Sequence, residues 1–346
     1  MRAVMVKDGR GSSANLYIGE ALVPQLDDDE VLVKIEAFGL NRMDIRQREG
    51  LYNLPPHAPQ IMGVEFSGHI VATKNLQDSK WKEGDEVFGL AVGGAYAEYI
   101  KVSARMVLNK PPQLSWVQAA AIPETYLTAF QALRRIACMK KGESVLIHAG
   151  ASGVGIAAIQ LAKVYGADKI FVTAGSQDKV DFCQRIGATK GFNYKASDWA
   201  DQLAQYTAAE GENCAGSVDV IIDVVGAPYL AGNMRSLKKD GRLVVLAFMG
   251  GAQLREVEIS QILYKRLRIE GSTLRSRTIG YQSDLVQDFV KEKGIERLIM
   301  GCSSSDEGGS QIIIHKVYSW KCIKEAHDEM EANRTVGKIV VTIDDY

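Results

Sequence analysis

The fold of this 346-residue chain is decided by one stretch, Ser144-Val145-Leu146-Ile147-His148-Ala149-Gly150-Ala151-Ser152-Gly153-Val154-Gly155. It begins with a short apolar run, which predicts a strand buried on both faces. A helical pattern follows at 156–163, so the glycine-rich turn joins a strand to a helix. Such a turn is typical of a dinucleotide-binding βαβ unit, because glycine permits a tight turn and a close approach of the backbone to a pyrophosphate at the helix N-terminus.

The loop departs from the strict G-x-G-x-x-G pattern, because Ser152 stands at the middle glycine position. A glycine cluster alone is weak support and can be a purely structural turn. The strand before it and the helix after it favour a phosphate site. The candidate cofactor-binding residues of the loop are Gly150, Ser152, Gly153, Val154 and Gly155.

Strand-like apolar runs recur after this loop and alternate with helical patterns. They lie at 169–173, 191–194, 218–225, 242–248 and 266–272. Strands that alternate with helices predict an α/β fold with a doubly wound parallel sheet. Six strands in about 150 residues fit a Rossmann domain, to which we assign residues 126–274.

Residues 1–125 have a different pattern, in which short alternating runs are separated by glycine-rich turns. The clearest runs lie at 30–37, 85–90 and 95–100, and they predict a compact β-rich domain. Residues 275–346 show two helical stretches and a strand-like end at 338–343, which we expect to return to the N-terminal β domain. The polar segment 302–310 is predicted to be a surface loop.

The composition argues against several classes of protein. Lys and Arg total 41 against 42 Asp and Glu, a net charge of −1, so no nucleic-acid partner is expected. No apolar run reaches the ~18 residues of a membrane helix, and the strand-like start of the chain shows no sign of a targeting peptide. The five cysteines have no paired spacing, which predicts reduced thiols and a cytoplasmic protein.

The choice between NAD and NADP depends on the end of the next predicted strand. An NAD site usually carries Asp or Glu about 20 residues after the glycine loop, to bind the ribose 2′-hydroxyl. Here the strand is followed by Gly175, Ser176 and Lys179, and a hydroxyl and an ammonium would accept a 2′-phosphate. We therefore predict NADPH; the alternative is that Ser176 caps a helix and Lys179 is a solvated surface charge.

Several stretches outside the loop resemble one enzyme family. They include Gly39-Leu40-Asn41-Arg42-Met43-Asp44 and Ala121-Ile122-Pro123-Glu124-Thr125-Tyr126-Leu127-Thr128-Ala129-Phe130-Gln131. Further matches lie at 148–155, 172–176, 191–195, 274–277 and 336–340. Through these residues the chain resembles, nearly end to end, the zinc-free quinone oxidoreductase branch of the medium-chain dehydrogenases/reductases.

The resemblance implies a GroES-like catalytic domain, a Rossmann domain and an active-site cleft between them. It also implies a homodimer joined through the edge of the Rossmann sheet. NADPH contacts are implied for Ser152, Gly153, Val154, Gly175, Ser176, Lys179 and Tyr194. Residues implied to lie near the nicotinamide or its ribose are Asn41, Thr128, Gly226, Phe248, Met249, Ser276 and Asn333.

The zinc-dependent relatives bind their metal through a Cys and a His of the N-terminal domain. The matching positions here are Asn41 and Val64, and no cysteine precedes Cys138. Zinc needs three or four N or S ligands at suitable spacing, so we predict no metal site. Without a Lewis acid to stabilise an alkoxide, reduction of an electrophilic acceptor such as a quinone is the easier chemistry.

The candidate catalytic residues are Tyr52, Asn41 and Thr128, the last on the resemblance alone. Tyr52 follows the segment that lines the cleft in the family, and its phenol could donate a hydrogen bond to an acceptor carbonyl; the alternative is a half-buried packing tyrosine. Asn41 could donate to the same oxygen or be a turn residue. Asp44 is interpreted as a structural hydrogen-bonding residue rather than a base.

These observations predict an NADPH-dependent, zinc-independent quinone oxidoreductase. Two alternatives stay open at this point. The first is a 2-enoyl or alkenal reductase on the same scaffold, with Tyr52 as the proton donor. The second is an NADPH-binding structural or regulatory protein with little turnover.

Overall fold

Strands make up three sheets in the part of the chain that the structure describes. The computed structural model describes residues 1–75, 81–210, 216–297 and 312–343. The strands are β1 (Arg2–Val6), β2 (Leu16–Glu20), β3 (Glu30–Gly39), β4 (Glu65–Lys74), β5 (Glu86–Leu90), β6 (Tyr99–Ser103), β7 (Val107–Asn109), β8 (Val145–Ile147), β9 (Ile170–Ala174), β10 (Lys190–Asn193), β11 (Val218–Asp223), β12 (Leu237–Val245), β13 (Arg268–Gly271), β14 (Ile314–Ser319) and β15 (Lys338–Thr342).

The helices follow the same chain order. They are α1 (Arg42–Arg48), α2 (Trp116–Ala120), α3 (Pro123–Phe130), α4 (Gly153–Val164), α5 (Gln177–Arg185), α6 (Trp199–Ala209), α7 (Leu230–Ser236), α8 (Ser260–Tyr264), α9 (Ile279–Lys291) and α10 (Ile323–Glu331). A π-helical turn, Gln131–Ile136, continues α3. No helix of the described ranges has the length and hydropathy needed to cross a bilayer.

The six-stranded sheet has the order β10-β9-β8-β11-β12-β13. Every pair in it is parallel. This is the strand order of a doubly wound nucleotide-binding fold, in which ligands bind outside the carboxyl ends of the strands. Its core is formed by inward side chains such as Leu146, Phe171, Ile221 and Leu243. The predicted Rossmann sheet is therefore confirmed.

The seven-stranded sheet is mixed. Its path is β14-β15-β3-β4-β5-β7, with β6 also paired to β3. The last strand, β15, pairs antiparallel with β3 through Val341 opposite Phe38, so it lies in this sheet and not in the parallel one. The strands β1 and β2 form a separate antiparallel pair. This β-rich part completes the predicted α/β architecture.

The chain divides into two compact units. Unit 1 contains Met1–Leu127, Leu274–Ile295 and the C-terminal segment from Ile312. Unit 2 contains Thr128–Thr273 and the segment that begins at Glu296. Each unit has its own buried core.

Some predicted elements differ from those observed. The run predicted as a strand at 95–100 is wrong in its bounds, because β6 begins at Tyr99. Ala95 and Ala97 are fully buried, but Ala97 makes only an isolated bridge to Ala3 and joins no ladder. The run predicted at 242–248 begins earlier and ends at Val245 as β12. The patterns predict neither α1 nor β14, and the predicted loop 302–310 lies outside the described residues.

Candidate active site

The glycine-rich loop in unit 2 has the geometry of a phosphate cradle. Ser152 caps α4, and its Oγ accepts a hydrogen bond from Gly155 N at 3.1 Å. A Cβ on Gly155 would lie 2.7 Å from Gly150 O and would collide with Ala149 O, so only glycine lets the helix start this close to β8. Ala149 has φ 53°, a strained value of the kind found at ligand sites. The free amides at the start of α4 therefore face a place suited to an anion.

A buried hydrogen-bonded chain stands beneath this loop. His148 Nε2 lies 2.7 Å from Asn233 Oδ1, and Nδ1 lies 3.0 Å from Thr173 Oγ1. Asn233 Nδ2 donates to Asp223 Oδ2 at 2.9 Å. Because Asn233 Oδ1 can only accept, His148 carries a proton on Nε2. Burial lowers the pKa of His148, which disfavours a second proton on the ring.

This series of hydrogen bonds ends at the loop after β11, which carries Gly226, a residue predicted to lie near the nicotinamide or its ribose. Asp223 Oδ1 accepts from Val225 N at 2.6 Å and Gly226 N at 3.1 Å. Gly226 has φ 89°, a left-handed conformation that favours glycine. The hydrogen bonds thus connect the carboxyl ends of β8, β9 and β11, which is the edge where a dinucleotide binds in this fold.

Phe248 and Met249 lie against the same loop. Met249 N donates to Val224 O at 3.1 Å, and a Cβ on Gly226 would lie 2.6 Å from a ring carbon of Phe248. Both side chains are more than half exposed, so they offer apolar surface beside Gly226. Thr128, at the start of unit 2, is partly buried in α3.

The end of β9 is basic. Ser176 caps α5 and accepts from Lys179 N at 3.4 Å. Burial, and then the positive charge of Lys195, lower the pKa of Lys179. A Cβ on Gly175 would lie 2.8 Å from Tyr194 Oη, which places that hydroxyl beside the same turn. The same Cβ would lie 3.6 Å from Lys195 Cε, so a hydroxyl and a basic side chain stand beside this turn.

In unit 1, Asn41 belongs to a buried charged cluster. Asn41 Nδ2 donates to Glu65 Oε1 at 2.8 Å. Lys338 Nζ forms an ion pair with the same carboxylate oxygen and also donates to Asn41 Oδ1 at 2.9 Å and Leu40 O at 2.7 Å. Glu124 N donates to Glu65 Oε2 at 2.9 Å. Glu65 is fully buried, so its charge is balanced by the Lys338 ammonium.

Asp44 lies at the end of a second buried chain. It accepts from Asn41 N at 2.8 Å and from Tyr96 Oη at 3.2 Å. Tyr96 Oη lies 3.3 Å from His327 Nε2, and Arg48 donates to His327 Nδ1 at 3.2 Å. Burial and the Arg48 charge lower the pKa of His327 to about 3. These hydrogen bonds hold Asp44 at the start of α1, and burial raises its pKa to about 6.

Tyr52 is partly buried and is held by Arg275. The Arg275 guanidinium carbon lies 5.2 Å from the centre of the Tyr52 ring, so the cation packs over the ring face. Arg275 is anchored by Val92 O at 2.7 Å and Gln47 Oε1 at 2.8 Å. Burial raises the pKa of Tyr52 and the nearby guanidinium opposes that rise, so the phenol stays protonated and able to donate.

Two other predicted residues of unit 1 are exposed. Ser276 follows Arg275 directly. Asn333 has φ 56°, and its Oδ1 accepts from an Arg42 guanidinium nitrogen at 2.6 Å. The side chain of Asn333 thus ties the end of α10 to the start of α1.

Family models match both parts of the chain. An alcohol dehydrogenase GroES-like domain matches residues 27–112, and a zinc-binding dehydrogenase domain matches residues 153–291. A curated quinone oxidoreductase of Homo sapiens is 30% identical over 99% of this chain and 98% of its own length. The chain belongs to the quinone oxidoreductase branch of the medium-chain dehydrogenases/reductases. This medium-chain reductase is therefore an oxidoreductase that uses a nicotinamide cofactor.

The solved structures that resemble this chain are named for different activities. An NAD-dependent alcohol dehydrogenase and the CurK enoyl reductase each superpose with a TM-score of 0.81, at 28% and 29% identity, and each pair covers 99% or more of both chains. A mycobacterial protein in complex with NADPH has a TM-score of 0.79 at 25% identity, covering 99% of this chain and 100% of its own. The fold is therefore shared by enzymes with different acceptors.

Several residues of the two sites described above are not predicted from the sequence. The cluster of Glu65, Glu124 and Lys338 is not predicted, because a charged residue in an apolar strand or helix gives no sign of its distant partner, although Glu124 and Lys338 lie inside the matching stretches 121–131 and 336–340. Lys195 and Arg275 lie inside the matching stretches 191–195 and 274–277, so those motifs held a usable signal. Among the described residues no group of three His, Cys, Asp or Glu side chains is arranged to hold a metal.

Proposed function

We propose that this enzyme is an NADPH-dependent quinone reductase that works without zinc. The observation that carries the proposal is the cluster of Asn41, Glu65 and Lys338. Asn41 and Val64 stand at the matching positions of the two metal ligands, and Val64 is fully buried and has no ligand atom. Lys338 already supplies a positive charge to Asn41 Oδ1 and Glu65, so a second cation would meet electrostatic repulsion.

The turn after β9 supports NADPH over NADH. Lys179 and Lys195 repel one another, and the pKa of Lys179 is lowered in part for that reason. A doubly negative 2′-phosphate would relieve the repulsion and accept hydrogen bonds from both ammoniums and from the hydroxyls of Ser176 and Tyr194. An acidic residue, which would repel that phosphate, is absent from the strand end 173–177. The NADPH complex of the similar mycobacterial protein agrees with this choice.

Tyr52 and Arg275 support a flat carbonyl acceptor. When bound, NADPH supplies the hydride. The half-buried Tyr52 ring gives an apolar face on which a planar ring can stack, and its hydroxyl donates to the acceptor oxygen as negative charge develops there. Arg275 packs over the Tyr52 ring. The Asn41 amide is hydrogen-bonded to Glu65 and Lys338, and it keeps this side of the site rigid. Thr128 stays a candidate for contact with the cofactor or the acceptor.

An acceptor panel tests the proposal. NADPH oxidation is measured with an ortho-quinone, a para-quinone and crotonyl-CoA, each with and without exhaustive chelation of metals. We expect turnover with a quinone, none with the thioester and no effect of chelation. Loss of quinone turnover on chelation would contradict zinc independence, and silence with all three acceptors would favour a cofactor-binding protein without turnover.

The runner-up is a 2-enoyl or alkenal reductase, which the similarity to the CurK enoyl reductase favours. In that reaction Tyr52 would act as the proton donor to carbon rather than as a hydrogen-bond donor to oxygen. Turnover with crotonyl-CoA alone would establish it and would overturn the quinone assignment.

The edge of the parallel sheet supports a homodimer. β13 is exposed along its whole length, and Leu263 and Tyr264 before it are 75% and 69% exposed. An unprotected edge strand beside exposed apolar side chains is a surface on which a second copy of the chain can pair. In sedimentation experiments the wild-type chain should be a dimer, and Leu263→Asp should be a monomer.

The cysteines bear on where the protein is located. Cys138, Cys183 and Cys322 are free thiols, which agrees with the proposed cytoplasmic location.

A further inference from the structure

Asp223 is a buried acidic residue at the carboxyl edge of the parallel sheet. It is the last residue of β11 and is 1% exposed. Its carboxyl oxygens accept three hydrogen bonds, from Val225 N at 2.6 Å, Gly226 N at 3.1 Å and Asn233 Nδ2 at 2.9 Å. All three partners are donors, and the described structure offers no acceptor for a carboxylic acid proton. The side chain is therefore a carboxylate.

The partners of this carboxylate in the described part of unit 2 are all neutral. Two are backbone amides and the third is the amide of Asn233. His148 reaches Asp223 only through Asn233, and burial lowers the pKa of His148, so the imidazole supplies no counter-charge at neutral pH. A buried charge is costly unless it is paired. An unpaired one at a ligand-binding edge therefore points to a positive charge that the ligand brings.

The topology indicates which half of a dinucleotide lies over β11. In a doubly wound sheet the dinucleotide crosses the carboxyl edge where the strand order reverses, which is between β8 and β11 here. The residues that read the adenosine ribose follow the second strand of the first half, which is β9. The adenosine half therefore belongs on the β9 side, and the nicotinamide half belongs on the side of β11, β12 and β13.

The loop after β11 is fixed against the loop after β12, on the nicotinamide side. Met249 N donates to Val224 O at 3.1 Å, and Gly250 N donates to Val225 O at 2.8 Å. The side chains of Phe248 and Met249 are 60% and 55% exposed, so they offer an apolar surface for a flat ring. Apolar surroundings lower the local dielectric and strengthen the effect of a nearby charge.

We propose that the Asp223 carboxylate stabilises the positive charge of the oxidised nicotinamide ring. The ring is neutral in the reduced cofactor and carries one positive charge in the oxidised form, because the hydride goes to the acceptor with its electron pair. Asp223 thereby favours the oxidised form and makes the bound cofactor a stronger reductant. This inference rests on the use of a nicotinamide cofactor, and it is independent of the acceptor and of the preference for NADPH proposed above.

A purely structural role for Asp223 predicts a different result. If the carboxylate only shaped the loop that begins at Val225, its loss would change the affinity for both redox forms by the same factor, because the two forms differ in the ring alone. A charge effect changes the ratio of the two dissociation constants. The ratio therefore separates the two roles.

The test variant is Asp223→Asn, which removes the charge and keeps the shape. Asparagine at this position can still accept from the amides of Val225 and Gly226 through its oxygen. Its new amide nitrogen can donate to Asn233 if the Asn233 amide turns over and His148 carries its proton on Nδ1 instead of Nε2. The hydrogen bonds are thus kept with their directions reversed.

The matched control is Asp219→Asn in the same strand. Asp219 lies near the amino end of β11, where its carboxylate accepts from Ser144 N at 2.9 Å and pairs with Lys238 at 3.2 Å. It removes one negative charge from β11 at the edge opposite the cofactor.

Isothermal titration calorimetry of the full chain, without any acceptor, gives the Kd for NADPH and for NADP+. In Asp223→Asn the ratio Kd(NADP+)/Kd(NADPH) should rise about tenfold, the effect of one unit charge at an effective dielectric constant of ~20. That rise equals about 30 mV in the reduction potential of the bound couple. In Asp219→Asn the ratio should stay within about twofold, because solvent ions screen a distant, partly exposed charge. An unchanged ratio in Asp223→Asn, whether or not both forms bind more weakly, would overturn the proposal.

Two further measurements keep the failures apart. If the wild type does not bind NADPH, the proposed cofactor preference fails, and the same ratio measured with NAD+ and NADH decides the role of Asp223. If Asp223→Asn does not fold, as judged by circular dichroism, Asp223→Ser replaces it, because a serine hydroxyl can accept from the backbone amide two residues on and has no charge. The same rise in the ratio is expected, and an equal change in both dissociation constants would refute the charge effect.

Discussion

Replacing Lys338 by methionine removes the only cation hydrogen-bonded to the buried Glu65 carboxylate in the described structure. The Lys338 side chain is 7% exposed and that of Glu65 is 0% exposed. In Lys338→Met, Glu65 keeps Asn41 Nδ2 at 2.8 Å and Glu124 N at 2.9 Å, two neutral donors for a full negative charge. Breaking a buried ion pair in this way costs about 3–5 kcal/mol. We therefore expect unit 1 to lose that much unfolding free energy.

Urea unfolding followed by tryptophan fluorescence is a suitable assay. Three of the four tryptophans, Trp81, Trp116 and Trp320, lie in unit 1, so the signal reports mainly on that unit. The matched control is Lys74→Met, because Lys74 pairs with Asp28 at 3.8 Å and both side chains are about half exposed or more. An exposed pair is worth about 0.2–1 kcal/mol.

The double variant Lys338→Met with Glu65→Gln isolates the charge. It should recover at least about 2 kcal/mol of the loss, because no unpaired charge is left behind. A cost for Lys338→Met no larger than that for Lys74→Met would refute the reasoning. So would a double variant that is less stable than Lys338→Met.

Four other outcomes are expected. Lys179→Ala and Lys195→Ala should each raise the KM for NADPH at least about tenfold, because a charge-assisted hydrogen bond contributes ~1.5–3 kcal/mol. The KM for NADH should change by no more than about twofold, because NADH has no 2′-phosphate for these lysines to bind. Tyr52→Phe should lower kcat/KM for quinones about tenfold through loss of the hydrogen bond and leave NADPH affinity, measured by fluorescence, unchanged. His148→Leu should weaken NADPH binding and lower the thermal midpoint, since it leaves two buried partners unsatisfied at about 1–3 kcal/mol each. Because burial and the Glu65 charge raise the pKa of Glu124 to about 8, its contribution to stability is full below the unfolded pKa and is lost as pH rises. Between pH 6 and 8 the wild type should lose about 2 kcal/mol of unfolding free energy, measured in urea, relative to Glu124→Gln.

The parallel sheet could be predicted from the sequence because its central strands are separate apolar runs. The runs at 144–148 and 169–173 became β8 and β9 within one residue at each end. The glycine loop was predictable for the same reason: its residues, its strand and its helix are contiguous in the chain. Patterns of this kind are local and need no knowledge of distant partners.

The charged interior of unit 1 could not be predicted in that way. Glu65 and Lys338 are 273 positions apart, and neither stands out from its neighbours in an apolar strand. Arg48 and His327 are separated by 279 positions. Such pairs are produced by the return of the C-terminal strand to β3, which brings the ends of the chain to one sheet. Tyr52 was identified as a candidate, but its partner Arg275 became evident only from the packed structure.

One measurement tests the central proposal most directly. The protein, freed of metals by exhaustive chelation and dialysis, is assayed with one para-quinone and with NADPH or NADH as the reductant. We expect full quinone-dependent oxidation of NADPH and a much lower kcat/KM with NADH, by about tenfold or more, as two ammoniums on a 2′-phosphate predict. Equal rates with NADH, or activity that appears only when zinc is restored, would contradict the proposal.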